Sequence, residues 1–337
     1  MVEKAIVVAA EPTNLLPVAN RPLAIHALAA LARAGVKGAA VTVKPALRAQ
    51  LEHELGAYGA LDTEVICVEQ REGDPFPAVL ADLGSFVGSD PFVLHLADSL
   101  NRDCLGSLIQ GSEADGDSTV LVQETVADEA VVDLARRRAG APPDEDERSA
   151  AGVWVLGPAA LDALCEAPSS GCAELDVTRA VRRLADMGGR VCVRQVSEWW
   201  RFQERPGALL DANRFVLAGM NAEPVHAELS GARIQGPVSI HPSARIESSI
   251  VRGPAVIAAG VRLREAYVGP YTSIGEDVLI EGAEVENSII LAGASVTHLG
   301  GRLEASVVGP RARVFRDFRL PKAMRLNVGE GAEVSLA

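Results

Sequence analysis

The sequence predicts two units in tandem. Residues 1–222 form an α/β unit with a mixed, mainly parallel sheet and flanking helices, and residues 223–337 form a left-handed parallel β-helix. Three observations predict this. Short aliphatic runs alternate with helical patterns from Lys4 onward, which is the mark of βαβ units. Hydrophobic residues make up 48% of the 337-residue chain and aromatics only 4%, so the cores are aliphatic. From about Val225 the apolar positions recur at a fixed step of seventeen residues.

In order, Lys4–Ala10 reads as a buried parallel strand and Pro22–Ala34 as a helix, with Pro22 in its first turn and Gly35 as its C-cap. Gly38–Val43 is a strand, Ala46–Leu55 a helix with a mixed polar face, Glu64–Val68 a strand and Pro77–Phe86 a helix. Pro91–Leu96 is a strand ending at Ala97-Asp98-Ser99. Thr119–Gln123 and Gly152–Leu156 are strands on either side of the charged, proline-containing stretch Arg136–Ser149, which reads as a solvated loop. Pro158–Cys165 and Val177–Met187 are helices, Arg190–Val196 is a strand, and Gly207–Val216 is the closing helix. Ligands of such sheets sit at the carboxyl ends of the strands. The connection Glu11–Asn14 and the Asp98 turn are both such ends.

In the second unit Ile234, Val251, Val268 and Val285 keep the seventeen-residue step, as do Ile240, Ile257, Ile274 and Leu291, and Ile246, Leu263 and Ile280. Within a repeat the apolar positions lie six apart. A Gly-Pro pair recurs at Gly236, Gly253, Gly269 and Gly309, where a residue without a side chain lets the chain turn sharply. Three short strands per coil, each with one inward aliphatic, make a β-helix of hexapeptide turns.

A formal net charge of −13 argues against a nucleic-acid partner, whose binders carry basic patches. Small phosphate ligands need only a local positive site. The five cysteines are odd in number and none are in Cys-x-x-Cys spacing, so they read as reduced thiols rather than a disulfide framework or zinc site. With no signal-peptide pattern and no apolar run of spanning length, a cytoplasmic protein with no membrane partner is expected.

Several stretches carry a family resemblance. LLPVANRP (Leu15–Pro22), DPFVLHLADSL (Asp90–Leu100), AELDVTRAV (Ala173–Val181), WWRFQERPGALLDANRFVL (Trp199–Leu217) and the repeat region are collinear with the motifs of long-form glucose-1-phosphate thymidylyltransferases. The chain therefore resembles these sugar nucleotidyltransferases over nearly its whole length. The resemblance implies a Rossmann-like nucleotidyltransferase domain followed by the β-helix. It also implies a chemistry in which a Gly-rich loop with an Arg and a Lys holds a triphosphate and two Asp side chains hold Mg²⁺.

The sequence departs from that pattern around one pocket. The Gly-rich loop and its Arg are missing from VVAAEPTNLLPVAN, and the Lys position falls near Thr13. Asp98 matches one metal-binding Asp, while Phe202 occupies the position of the other. DPFPAV (Asp74–Val79) replaces a base-side segment that is ordinarily glycine- and alanine-rich, and the sugar-binding Glu corresponds to Glu174. Loss of one preorganised charge-stabilising group costs roughly a hundred- to a thousand-fold in rate.

The resemblance thus implies a non-catalytic homologue, a regulatory or accessory subunit or a binder of a nucleotide sugar or sugar phosphate. Such a subunit would form a homo-oligomer, or a hetero-oligomer with an active paralogue. The alternative is an active enzyme using Asp98 with Arg21 or Arg201, with Mg²⁺ as cofactor only in that case. Each candidate has an ordinary structural role as well. Asp98 would be a turn or helix-capping residue, Glu174 a capping residue before a helix starting at Asp176–Thr178, and Trp199 and Trp200 junction packing. His241 and His298 raise a third class, a β-helix acyltransferase with a histidine base. Both stand at corner-like positions, where polar surface residues are usual.

Overall fold

The aliphatic run Lys4–Val8 forms β1, the strand about which the sheet is laid. The computed structural model describes residues 2–59, 61–71, 73–102, 105–107, 109–110, 118–123, 150–166, 173–189, 191–196, 198–203 and 205–317; the Arg136–Ser149 stretch lies outside them. After β1 come α1 (Leu23–Arg33), β2 (Gly38–Val43), α2 (Pro45–Tyr58), β3 (Glu64–Glu69), α3 (Phe76–Asp82) and β4 (Phe92–Leu96). Then follow β5 (Ser118–Gln123), β6 (Ala150–Leu156), α4 (Pro158–Cys165), α5 (Ala173–Asp186), β7 (Val191–Val196) and α6 (Ala208–Ala218).

The strands order as β7-β5-β6-β4-β1-β2-β3. β1 pairs in parallel with both β2 and β4, whereas β6 runs antiparallel between β4 and β5. Central strands covered on both faces read as unbroken apolar runs, and β4 is buried at every position. One face packs Val7, Val41 and Val93 against Ile25, Leu28 and Leu31 of α1 and Leu51 of α2. The other packs Ile6, Leu94 and Trp154 against α3, α4 and α5.

Several boundaries differ from the sequence reading. Pro22 lies just before α1, because Arg21–Pro22 pairs with Pro17–Val18 in a short antiparallel hairpin. Its turn residues Ala19 and Asn20 have φ of 48° and 62°. The helix expected over Pro77–Phe86 is two pieces, Phe76–Asp82 and a single turn at Gly84–Val87. Helix α5 begins at Ala173, so Glu174 lies inside its first turn and not before the helix.

Among the described residues the second unit is a triangular coil of three parallel sheets with six, five and five strands. The first face runs from Glu228–Ser230 to Arg313–Phe315, the second from Arg233–Gln235 to Arg302–Glu304, and the third from Val238–Ile240 to Val307–Val308. Ile234, Val251, Val268 and Val285 stack as one column, and Ile246, Leu263 and Ile280 as another. On the third face Ile240, Ile257 and Ile274 stack, but Ile274 pairs with Ile290 and not with the expected Leu291.

The reason is the corner between the second and third faces. Gly236-Pro237, Gly253-Pro254 and Gly269-Pro270 turn it in the earlier coils, whereas Glu286-Asn287-Ser288 turns it in the next. Asn287 takes φ of 45°, a left-handed conformation that asparagine tolerates, and closes the corner one residue sooner. The remaining pair, Gly309-Pro310, follows the third face and so turns a different corner.

The two units are joined through α6 and the hairpin. Asn213, 1% exposed, accepts from Ala19 N at 2.9 Å and from Ser273 Oγ at 2.6 Å, and its Nδ2 donates to Tyr271 O at 2.9 Å. Asn20 Nδ2 donates to Ile274 O at 2.7 Å. Asn213 sits between Leu209 and Leu217 along one stripe of α6, and that buried polar group is satisfied only by touching both units.

Candidate functional site

The carboxyl ends of β1, β2 and β4 lie side by side, with Val8 flanked by Thr42 and Leu96. Ala9 N bonds Thr42 O and Ala97 N bonds Val8 O, both at 2.9 Å, so the strand ends stay tied together. A ligand of this sheet would meet the connection after β1 and the turn after β4.

The connection after β1 is a single 3₁₀ turn, Pro12–Leu15. Its polar groups close on themselves: Glu11 N donates to Asn14 Oδ1 at 2.9 Å, Asn14 N to Glu11 O at 3.0 Å, and Leu16 N to Thr13 O at 3.1 Å. A phosphate cradle needs convergent, free backbone N–H groups, and here those of Glu11, Asn14 and Leu16 are engaged within the loop. The side chain at the turn is an anion. Glu11 pairs with Lys44 at 3.1 Å across an exposed gap, a contact of the surface kind that contributes little stability.

The turn after β4 places Asp98 between Leu96 and Ser99. Ser99–Asn101 forms an antiparallel ribbon with Trp199–Arg201, with Arg201 opposite Ser99. Phe202 N donates to Asp98 O at 2.9 Å. Asp98 therefore stands in a turn, the first of the two ordinary roles expected for it, and a strand, not a helix, follows it. Its Oδ2 meets Arg201 Nε at 3.3 Å. Burial pushes the Asp98 carboxyl up, and the Arg201 charge only partly offsets that. Asp98 Oδ1 and Ser99 Oγ are buried without a well-formed hydrogen bond, and the adjacent Ser99 hydroxyl tempers the shift only slightly. The Thr42 hydroxyl at the end of β2 is likewise buried without a partner.

Strand β6 makes room for the ribbon. Its register against β5 shifts between Val120 and Val122, and Gly152 there has φ of 68°. A methyl group on Gly152 would overlap the Ser99 hydroxyl, so only glycine fits. The bulge also turns Ala151 O toward Trp199, whose Nε1 donates to it at 2.6 Å. Trp200 meets Phe202 edge to face at 6.0 Å, and both pack with Val18, Leu23, Leu100 and Ala212. Trp199 thus packs on the sheet and Trp200 against α6, both within the first unit and not across the junction expected for them, and the Phe202 position supplies a ring where a ligating carboxylate would be required.

The structure brings Asp98 and Arg201 together. Arg21 lies elsewhere, exposed on the hairpin with its guanidinium 4.8 Å from the Tyr58 ring of α2. Glu174 falls in the first turn of α5, with its side chain outside the described residues. His241 and His298 are exposed corner residues, and His241 Nδ1 lies 2.8 Å from Ser243 Oγ. Sequence reasoning missed Lys44 as the partner of Glu11, and Asn213 as the junction residue. An asparagine at the centre of the Leu209–Leu217 stripe was the available signal for the second.

Hard divalent cations take oxygen ligands in near-octahedral arrays. Among the described residues no group of three or more His, Cys, Asp or Glu side chains could hold a metal ion. The one retained carboxylate, Asp98, is paired with a guanidinium and Phe202 holds the second position, so the side chains here do not offer the pair of carboxylates that Mg²⁺ would need. Among the described residues no helix is long and apolar enough to cross a membrane.

No family model matches the sequence. The chain is 30% identical over 341 residues to a low-salt glycan biosynthesis nucleotidyltransferase of Haloferax volcanii, covering 96% of this chain and 94% of that protein. It is 28% identical over 336 residues to a glucose-1-phosphate thymidylyltransferase of Streptomyces griseus, covering 96% and 93%. In fold it matches a Bacillus anthracis crystal structure in complex with a sucrose, assigned as a glucose-1-phosphate thymidylyltransferase. That match has a TM-score of 0.51 and 18% identity over 66% of this chain and 97% of the other.

Proposed function

Because the chain belongs to the sugar-phosphate nucleotidyltransferase family, we propose that it keeps the family's frame as a non-catalytic member. It binds a nucleotide sugar or sugar phosphate and acts as a regulatory or accessory subunit. The observation that carries this reading is the closed turn after β1. The Glu11, Asn14 and Leu16 amides bond within the turn, its exposed Glu11 carboxylate is paired with Lys44, and no arginine or lysine lies within the turn itself. A triphosphate brought there would meet a carboxylate already paired with Lys44 and amides turned inward to the loop. The Asp98–Arg201 pair and the packed Phe202 ring support the same reading, because together they remove the two-carboxylate arrangement that would hold a metal.

A second reading keeps activity with rearranged groups. It is favoured by the relatives, whose names describe transferases, and by the approach of Asp98 and Arg201. The two readings separate in an assay of thymidylyl and uridylyl transfer to sugar 1-phosphates with Mg²⁺, read as pyrophosphate release. The non-catalytic reading expects none above a no-protein control. Release that disappears in Asp98→Ala would support the active enzyme.

A further inference from the structure

The ribbon of Ser99–Asn101 and Trp199–Arg201 carries an ion pair at each end. At one end Arg102 Nη2 lies 3.4 Å from Glu198 Oε1, with side chains 28% and 52% exposed. At the other Arg201 Nε lies 3.3 Å from Asp98 Oδ2, with side chains only 19% and 23% exposed. The outer pair is a surface contact. The inner pair sits at the strand ends, where a buried carboxylate must be neutralised by something.

We propose that the Arg201 guanidinium stands where a divalent cation would otherwise neutralise Asp98, so that the pocket takes its ligand without a metal ion. This deepens the non-catalytic reading and rests on it. The backbone carries the guanidinium there. The ribbon register sets Arg201 opposite Ser99, and the bond from Phe202 N to Asp98 O fixes the next residue. A metal at Asp98 would have to displace or sit against this fixed positive charge, and like charges at such range repel strongly in a shielded site. It would also lack a second carboxylate, because Phe202 is packed against Trp200. The Gly152 bulge leaves Ser99 just enough space and nothing larger, which holds the turn bearing Asp98 in place.

The test titrates Mn²⁺ alone into the full chain and reads free Mn²⁺ by electron paramagnetic resonance. The wild type is expected to leave the free-ion signal unchanged. Arg201→Gln is expected to bind Mn²⁺ at least tenfold more tightly, Arg201→Lys to gain nothing, and Asp98→Asn added to Arg201→Gln to lose the gain. One equivalent bound by the wild type and lost in Asp98→Asn would overturn the proposal. So would a folded Arg201→Gln that gains no binding. If Arg201→Gln does not fold, the wild-type titration still decides. Turnover without bound Mn²⁺ would sink the functional reading alone, and bound Mn²⁺ without turnover would sink this inference alone.

Discussion

The β-helix and the strand-end pocket share one chain and one aliphatic composition, yet they constrain their residues differently. In the β-helix each inward position faces the equivalent position one coil away, so Val251 is answered by Val268 and Leu263 by Ile280. A polar residue in such a column would bury an unsatisfied group among apolar neighbours, and the columns keep their period except where the corner at Asn287 shortens one coil. The pocket has no such repetition. Its side chains answer to a ligand or to each other: Arg201 meets Asp98, and the turn after β1 bonds to itself.

Leu263 tests the frame directly. It is 1% exposed in the second column of the β-helix core. Leu263→Ala is expected to destabilise by about 4 kcal/mol in denaturant unfolding, within the usual range for a buried leucine. A loss below about 1 kcal/mol would mean that the columns pack loosely.

The α/β unit adds a pH dependence. His95 is 1% exposed in β4, its Nδ1 donates to Leu96 O at 2.8 Å, and burial lowers its pKa to about 4. The folded chain therefore keeps this imidazole neutral where the unfolded chain protonates it. Stability from this group is full above pH of about 6.5 and is lost as pH falls to about 4, by about 3 kcal/mol at most. Unfolding midpoints measured across that window should fall in the wild type and fall less steeply in His95→Gln, where buried His26, whose pKa burial also lowers to about 4, still contributes. Asp98 works with the opposite sign, since its raised carboxyl favours the folded state as pH falls.

The seam between the regions is the third test. Asn213→Ala leaves the Ala19 amide, the Ser273 hydroxyl and the Tyr271 carbonyl without their partner. It is expected to cost about 2 kcal/mol and to raise amide exchange at Ala19. Unchanged exchange there would show that the hairpin does not depend on Asn213.

How far the sequence reveals all this follows the same division. The alternation of strands and helices and the columns through Ile234, Val251 and Val268 are legible because burial enforces a period. The early corner at Asn287 is not, since one residue's left-handed turn leaves no periodic trace. Asp98, Phe202 and the short turn after β1 are legible as departures from a pattern. The pairing of Asp98 with Arg201 is not, because it depends on a ribbon joining segments about a hundred residues apart. Nor is the place of Arg21, whose long side chain swings onto Tyr58 from a hairpin that the sequence does not announce.

The central claim is that the strand ends no longer hold a triphosphate. Calorimetric titration of the full chain with deoxythymidine triphosphate and Mg²⁺ tests it most directly. The account predicts no saturable heat, in the wild type or in Asp98→Asn. Saturable binding that needs Mg²⁺ and weakens at least tenfold in Asp98→Asn would contradict it.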